Sequence, residues 1–267
     1  MHAWIVDAFA DDRRGGNPAA VLIAEGGFPP QRTMQKTARD LGVPTTAFIV
    51  PTANPSNYRI RWFTVEQELD ICGHATLAGA CYLYEVAGVA ADRRLSFQSN
   101  SGQIYARGGG NQIFLNLPRM DAKVCEIPAG LEQALGATIR YCAKATDDFV
   151  VEVESEQQLE ILKPDFAELK KIKCRGYAVT ARSYADDRDF VTRFFAPSVG
   201  VNEDEVCVSA HCKLGPYWAE KLNKPWLLAV QLSPRGGRLS IGVTEDRVDI
   251  GGTAKIRGTA SAAVAAE

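Results

Sequence analysis

Short apolar runs separated by turn residues recur along the first half of the chain, and this pattern predicts a sheet built from short strands. Residues 3–9 and 19–23 are predicted to form a hairpin around the turn GGNP at residues 15–18. Residues 30–41 carry apolar positions at helical spacing and precede Gly42, which is typical of a helix C-terminus. Further strands are predicted at residues 46–50, 58–64, 95–99 and 104–117, the last as a hairpin around the glycines at 108–110.

An Ala- and Leu-rich segment at residues 75–84 breaks the strand pattern and predicts a buried helix. The turn that carries Cys72, Gly73 and His74 then falls at the helix N-terminus. Free backbone N–H groups and the positive end of the helix dipole meet there, which favours a bound carboxylate and lowers the pKa of a thiol. We therefore expect chemistry at this turn; the alternative is that Cys72 is only a buried small apolar residue.

The segment at residues 194–218 repeats the same order of parts, with an aromatic strand end, an acidic turn, a cysteine and a helix. With Cys207 placed on Cys72, the pairs that follow are Val208 with Gly73, Ser209 with His74 and Ala210 with Ala75. The chain is thus predicted to consist of two related lobes, 1–119 and 120–267, each with a cysteine at a helix start. The Ala-rich residues 258–267 are predicted to be a short tail that packs on the first lobe.

Strand patterns also dominate the second half, which leads to a prediction of the fold class. Helices are predicted at residues 164–172 and 216–222, and strands at 149–153, 176–181, 190–195, 226–232, 238–243 and 247–251. With one long buried helix in each half, the class is α+β, with two pseudo-repeated lobes that each wrap a mostly antiparallel sheet around a central helix.

The composition excludes several classes of function. The 267 residues carry a formal net charge of -2 from 30 basic and 32 acidic side chains, so no nucleic-acid partner is expected. No apolar run approaches the roughly 20 residues of a membrane helix, and residues 1–12 lack the features of a signal peptide, which predicts a cytoplasmic protein with no membrane partner. Seven cysteines fit a reducing compartment, and three histidines without a Cys-x-x-Cys motif argue against a metal site.

Several motifs together point to a known family. They are DAF at 7–9, GNPAAV at 16–21, TAF at 46–48, WFT at 62–64, CGHATLA at 72–78, GV-x-ED at 200–204 and SAH at 209–211. On these motifs the chain resembles the phenazine-biosynthesis F-type isomerase family, which shares the two-lobed diaminopimelate epimerase fold. The resemblance implies a cofactor-independent homodimer that moves a proton on a small amino- or hydroxy-acid-like carboxylate substrate.

Two departures from the family pattern concern the site itself. Where the family has a Ser-Glu-Thr-Ala-Phe segment whose Glu carries the proton, this chain has PTTAF, with Thr45 in the Glu position. In the second half Cys207 replaces a Thr, and Val208 replaces a Gly. By resemblance, Cys72 and Cys207 then fall where epimerases and proline racemases of the same fold carry their first and second catalytic cysteines.

The leading hypothesis is a racemase, epimerase or double-bond isomerase that uses Cys72 and Cys207 as an acid/base pair. The alternatives are a 1,3 proton-shift isomerase that uses Asp204 or His74, a lyase or cyclising enzyme, and a non-catalytic binding protein. Purely structural interpretations also stand for His74 as a buried histidine and for Asp204 as a helix N-cap. Substrate contacts are predicted for Asn17, Thr45, Gly73, Ala75, Val208, Ser209 and Ala210.

Overall fold

The computed structural model describes residues 2–261, which form a mixed α+β structure made mostly of strands. The chain divides into two compact units. The first unit is discontinuous in sequence: it comprises the chain up to Leu117 and the chain from Gly251 onwards. The second unit comprises Pro118–Ile250. The predicted α+β class is confirmed. No helix within residues 2–261 is long and apolar enough to cross a membrane.

The first unit is a sheet that packs against one buried helix. In chain order its elements are β1 (His2–Ala8), β2 (Asn17–Ile23), α1 (Gln31–Leu41), β3 (Thr45–Pro51), β4 (Asn57–Phe63), β5 (Glu68–Leu69), α2 (Gly73–Glu85), β6 (Leu95–Ser99), β7 (Gly102–Gly109) and β8 (Gln112–Pro118). Helix α2 packs against β1, β2 and β3, and nearly all of its side chains are buried. The central helix that the sequence predicted is therefore present.

The second unit contains a matching set of elements. They are β9 (Lys123–Val124), α3 (Leu131–Leu135), β10 (Ile139–Lys144), β11 (Asp148–Val153), α4 (Glu156–Glu160), α5 (Phe166–Leu169), β12 (Gly176–Arg182), β13 (Phe190–Ala196), the 3-10 turn Pro197–Val199, β14 (Val201–Asp204), α6 (Val208–Leu222), β15 (Trp226–Gln231), β16 (Gly237–Val243) and β17 (Arg247–Gly252). The chain ends its described part in β18 (Ala254–Ser261), which pairs antiparallel with β1 of the first unit.

Strand pairing repeats between the units, which is stronger support for a duplication than the order of elements alone. In the first unit β1–β2 is antiparallel, β2–β3 parallel, β3–β4 antiparallel, β4–β6 parallel and β6–β7 antiparallel. In the second unit the same sequence of directions runs through β10–β11, β11–β12, β12–β13, β13–β15 and β15–β16. Helices α2 and α6 occupy the same place in this repeat, directly before the strand that closes the second parallel pair.

Helix α6 begins at Val208, which confirms the helix start at Cys207 that the repeat predicted, whereas the local pattern that placed the helix only from Pro216 is wrong. A proline is typical of a first helical turn, but Pro216 lies inside α6, where it cannot donate to the carbonyl four residues earlier. That carbonyl belongs to Cys212, and it accepts a hydrogen bond from the backbone N–H of Met120 at 3.2 Å instead. A tertiary contact thus satisfies the carbonyl oxygen of Cys212, to which Pro216 cannot donate a hydrogen bond.

Two other predicted boundaries also differ. The helix predicted at 164–172 is reduced to α5, whose N-cap Asp165 accepts from the N–H groups of Ala167 and Glu168. Of the predicted tail, residues 258–261 belong to β18, because pairing with β1 satisfies their backbone groups, and residues 262–267 lie outside the described residues. The second compact unit therefore ends at Ile250, before β18.

Gly16 sets the direction in which the chain enters β2. Its φ of +63° is in the left-handed region, and a Cβ there would lie 2.3 Å from the carbonyl oxygen of Ala8. No side chain fits at this turn, so the glycine is required. Asn17, the first residue of β2, follows directly and is thereby placed at the edge of the candidate site.

Candidate functional site

The turn at residues 72–75, which we call the Cys72 turn, begins helix α2. Cys72 is the N-cap residue, with an extended backbone, and its side chain makes no capping hydrogen bond to the helix. Its sulfur instead lies 3.8 Å from Oγ1 of Thr45 and 3.5 Å from Nδ1 of His74. The predicted position of Cys72 at a helix start is confirmed, and the structure brings Thr45 and His74 to its thiol.

His74 is buried and neutral near pH 7. Burial lowers its pKa from 6.5 to about 4. Its Nδ1 lies 3.3 Å from Nδ2 of Asn17, an amide nitrogen that can only donate, so Nδ1 is the acceptor and Nε2 carries the proton. Asn17 thus does more than shape its turn, because it sets the tautomer of the imidazole beside Cys72.

The turn at residues 207–210, the Cys207 turn, begins α6 in the same way. Cys207 is the N-cap residue and makes no side-chain capping bond, and its backbone N–H donates to Oε1 of Gln231 at 2.9 Å. Its sulfur lies 3.4 Å from Oγ of Ser209. In both turns, therefore, the polar side chain two residues after the cysteine contacts the sulfur, which is the equivalence that the sequence repeat predicted for His74 and Ser209.

The backbone carbonyl oxygens of Cys72 and Cys207 also accept equivalent hydrogen bonds, each from the side chain four residues later. In α2 the hydroxyl of Thr76, four residues after Cys72, donates to the cysteine carbonyl oxygen at 2.6 Å. In α6 Nδ1 of His211, four residues after Cys207, lies 2.8 Å from the corresponding oxygen. Since a carbonyl only accepts, Nδ1 of His211 carries the proton. Each N-cap peptide is thus fixed by a side chain from the next helical turn.

The pKa of the Cys207 thiol is raised, whereas the sequence predicted a lowered pKa for the equivalent thiol at the Cys72 turn. Burial, and after it the charge of Asp204, raise this pKa to about 12, although Arg175 and the hydrogen bond with Ser209 lower it. The expectation of a lowered pKa considered only the helix start, and it left out the desolvation of a side chain that is only 5% exposed. At neutral pH Cys207 is therefore a thiol.

Asp204 is not the N-cap of α6, since Cys207 takes that position. Asp204 ends β14, and its Oδ1 accepts from the backbone N–H of Val206 at 3.2 Å, which holds the turn into the helix. Val208 and Ala210 are buried in the first turn of α6, as Gly73 and Ala75 lie in the first turn of α2. The residues proposed to contact substrate thus gather around two helix starts, one in each unit.

Sequence reasoning missed a buried ion cluster behind the Cys207 turn. Asp148, fully buried at the start of β11, accepts hydrogen bonds from Arg175 and from Lys213 of α6. Nη2 of Arg175 also donates to Oγ of Ser209 at 3.0 Å. Lys213 is 2% exposed and reaches Asp147 at 3.0 Å as well. The signal for this cluster was Lys213 itself, a charged residue inside a run of buried helix positions, since a buried charge requires a partner.

We expect the two buried histidines to make the fold less stable in acid. Burial lowers the pKa of His74 and of His211 from 6.5 to about 4. The unfolded chain therefore binds these protons first, and the stability they contribute is full above pH 6.5 and is lost as the pH falls towards 4, by up to about 3 kcal/mol for each histidine. Urea unfolding between pH 7 and pH 4 measures the loss.

Histidine replacements identify the source of that loss. His74→Gln and His211→Gln are each expected to flatten the fall in unfolding free energy between pH 6.5 and 4 relative to the wild type. His2→Gln, at an exposed position of β1, is the matched control and is expected to leave the slope unchanged. Equal slopes in all four proteins would show that the imidazoles are hydrated in the folded state.

Two α+β units, each with a central helix, make up a fold that solved racemase and epimerase structures share. A probable proline racemase from Agrobacterium radiobacter shares it with a TM-score of 0.65 over 99% of this chain and 93% of its own, and at 13% identity this likeness concerns the fold alone. More specifically, the chain belongs to the phenazine biosynthesis-like (PhzC-PhzF) family, whose model matches residues 6–265.

Similar full-length proteins agree with that assignment. An uncharacterized isomerase of Halalkalibacterium halodurans is 42% identical over 255 residues, which are 94% of each chain. The crystal structure of a PhzF-family phenazine biosynthesis protein from Enterococcus faecalis has a TM-score of 0.91 at 40% identity, over 98% of this chain and 99% of its own. The resemblance seen in the motifs is confirmed.

Proposed function

We propose that this protein is a cofactor-independent isomerase that moves a proton at a carbon of a small carboxylate substrate, with Cys72 and Cys207 as its acid/base pair. The observation that carries the proposal is the repeated helix start. In both units a buried cysteine caps the central helix and leaves its thiol in contact with a polar side chain two residues on. The isomerase class is supported by the name of the similar Halalkalibacterium protein.

The chemistry of these helix starts suits proton transfer next to a carboxylate. Backbone N–H groups at residues 73–75 and 208–210 are available to bind the carboxylate and to stabilise charge that develops on it as the neighbouring carbon loses its proton. Cys207, protonated at neutral pH, is the acid that delivers a proton. Cys72 is the base in that direction, and Nδ1 of the neutral His74 lies 3.5 Å from its sulfur.

A 1,3 proton-shift isomerase is the second candidate, and one observation favours it. Burial raises the pKa of Cys207 to about 12, and Asp204 is the carboxylate whose charge acts most strongly on this sulfur, which makes Asp204 the candidate base in the second unit. A proton that Asp204 removes from one carbon and that is returned to another would leave both sulfurs unchanged. His74 would serve as the partner in the first unit.

Deuterium exchange tests the function and separates the candidates. We would incubate the protein in D₂O with D- and L-amino acids, hydroxy acids and their unsaturated analogues, and follow label at carbon by NMR and product chirality by chromatography. Inversion places deuterium at the carbon whose configuration is inverted. A 1,3 shift places it two atoms away from the carbon that loses its proton. A protein that binds a panel member by calorimetry but incorporates no label would be a binding protein, and the proposal would be wrong.

We also propose that the protein is a homodimer, as its family resemblance implies. Light scattering coupled to size-exclusion chromatography gives the mass directly. A single species at the 29.0 kDa of one chain would contradict this part of the proposal.

A further inference from the structure

A chain of hydrogen-bonding groups leads from a buried carboxylate to the sulfur of Cys207. Asp148 holds the guanidinium of Arg175 with both carboxylate oxygens, and the nearer contact is made through Nη2. The same Nη2 donates to Oγ of Ser209 at 3.0 Å, and that oxygen lies 3.4 Å from Sγ of Cys207. All four residues belong to the second unit.

The direction of this chain follows from the hydrogens that each group carries. A guanidinium only donates, so the oxygen of Ser209 must accept from Arg175. The single hydrogen of the hydroxyl is then left to donate, and the sulfur of Cys207 is within reach. Such a bond is stronger when the acceptor is charged, so the chain favours the thiolate over the thiol.

The surroundings of Cys207 oppose ionisation of its thiol, and the hydrogen-bonded series from Asp148 to Cys207 counteracts them. The charged groups around this turn are Asp204 of β14, Asp148 of β11, Asp147 just before it, Lys213 of α6 and Arg175 before β12. Burial, and after it the charges of Asp204 and Asp148, raise the pKa of the thiol, whereas Arg175 and Ser209 lower it. Both cations contact the two aspartates, and Arg175 also donates to Ser209, so Arg175 is the cation that acts through a hydroxyl on the sulfur.

We propose that Arg175 and Ser209 are positioning residues that allow Cys207 to exchange its proton, an inference that rests on the proposed function. When the thiol gives its proton to the substrate carbon, the electron pair of the S–H bond stays on sulfur. The Ser209 hydroxyl donates to that thiolate, and Arg175, held by Asp148, polarises the hydroxyl. When the thiolate takes a proton from the next substrate, the same groups return to their starting arrangement.

The ionisation of Cys207 is measured by its rate of alkylation with iodoacetamide at a fixed pH, quantified on the Cys207 peptide by mass spectrometry. Because only the thiolate reacts, Ser209→Ala and Arg175→Gln are each expected to slow this rate at least about tenfold, the effect of one unit of pKa. Ser209→Thr keeps a hydroxyl and is expected to keep the wild-type rate. Cys125, whose sulfur lies 3.7 Å from that of Cys142, is the internal reference in every sample.

Arg175→Gln leaves Asp148 paired with Lys213, so the variant retains a partner for the buried carboxylate. An unchanged Cys207 rate in Ser209→Ala would overturn the inference, and so would a loss of turnover in either variant without slower alkylation, since the residues would then act only by binding substrate. Slower alkylation of Cys207 with wild-type turnover would support the inference about its ionisation but would refute the two-thiol function. Different results would therefore refute the positioning role of Arg175 and Ser209 and the two-thiol function.

Discussion

Cys72→Ser and Cys207→Ser are each expected to lower kcat by a factor of at least about 10², the low end of what a positioned acid or base contributes. Each cysteine occupies the N-cap position of a central helix without a side-chain capping bond and has a polar side chain at its sulfur, so the substitution removes the proton donor or acceptor and keeps the helix start. A serine hydroxyl is far less acidic than a thiol and cannot replace it. The measurement is the rate of deuterium incorporation at carbon under saturating substrate.

The same helices provide matched controls for this prediction. Cys81 of α2 and Cys212 of α6 are buried thiols away from the helix starts, so Cys81→Ser and Cys212→Ser are expected to change stability more than kcat. If Cys207→Ser keeps full activity while Asp204→Asn or His74→Ala abolishes it, the two-thiol mechanism is wrong. The 1,3 shift with an Asp or His base would then be the better proposal.

Substitutions of Thr45, which stands where the family pattern has Glu, can be measured in the same assay. Its hydroxyl lies 3.8 Å from the sulfur of Cys72. Thr45→Ala is expected to cost much less activity than loss of either thiol, because Thr45 has no ionisable proton to exchange. Thr45→Glu is expected not to improve the native reaction, since a carboxylate at this distance would raise the pKa of the thiol beside it. A gain in kcat for Thr45→Glu would indicate a carboxylate mechanism instead.

Asp148→Ala is expected to lower the free energy of unfolding by about 3–5 kcal/mol, the cost of leaving a buried charge without its partner. Asp148 is fully buried and accepts from both Lys213 and Arg175, and Lys213 is 2% exposed. Without this carboxylate, Lys213 keeps its contact with the half-exposed Asp147. Urea unfolding with a check that the m-value is unchanged measures the loss.

Two further variants test whether the burial of Asp148 causes the expected loss of unfolding free energy. Asp147→Ala removes a carboxylate that contacts the same cations but is 46% exposed, and it is expected to cost no more than about 1 kcal/mol. Adding Lys213→Met to Asp148→Ala is expected to restore part of the loss, because the unpaired cation is removed together with its partner. Equal losses for Asp147→Ala and Asp148→Ala would mean that the cluster is hydrated.

Sequence alone determined the order of the elements, the repeat and the two cysteine helix starts. Period-two alternation and apolar runs are local properties, so strands such as β3 and β13 were placed to within a residue or two. The helix start at Cys72 followed from the change of pattern after it, and the start at Cys207 followed from its likeness to Cys72. Family motifs such as CGHATLA then added the class of chemistry.

Tertiary structure alone decided the features that depend on residues far apart in the chain. Arg175 and Lys213 reach Asp148 across 27 and 65 positions, and no local pattern specifies such pairs. Pro216 remains inside α6 because Met120 satisfies the carbonyl of Cys212. The protonation state of Cys207 likewise depends on how deeply the fold buries it and on which charges surround it, and these are properties of packing that spacing along the chain does not encode.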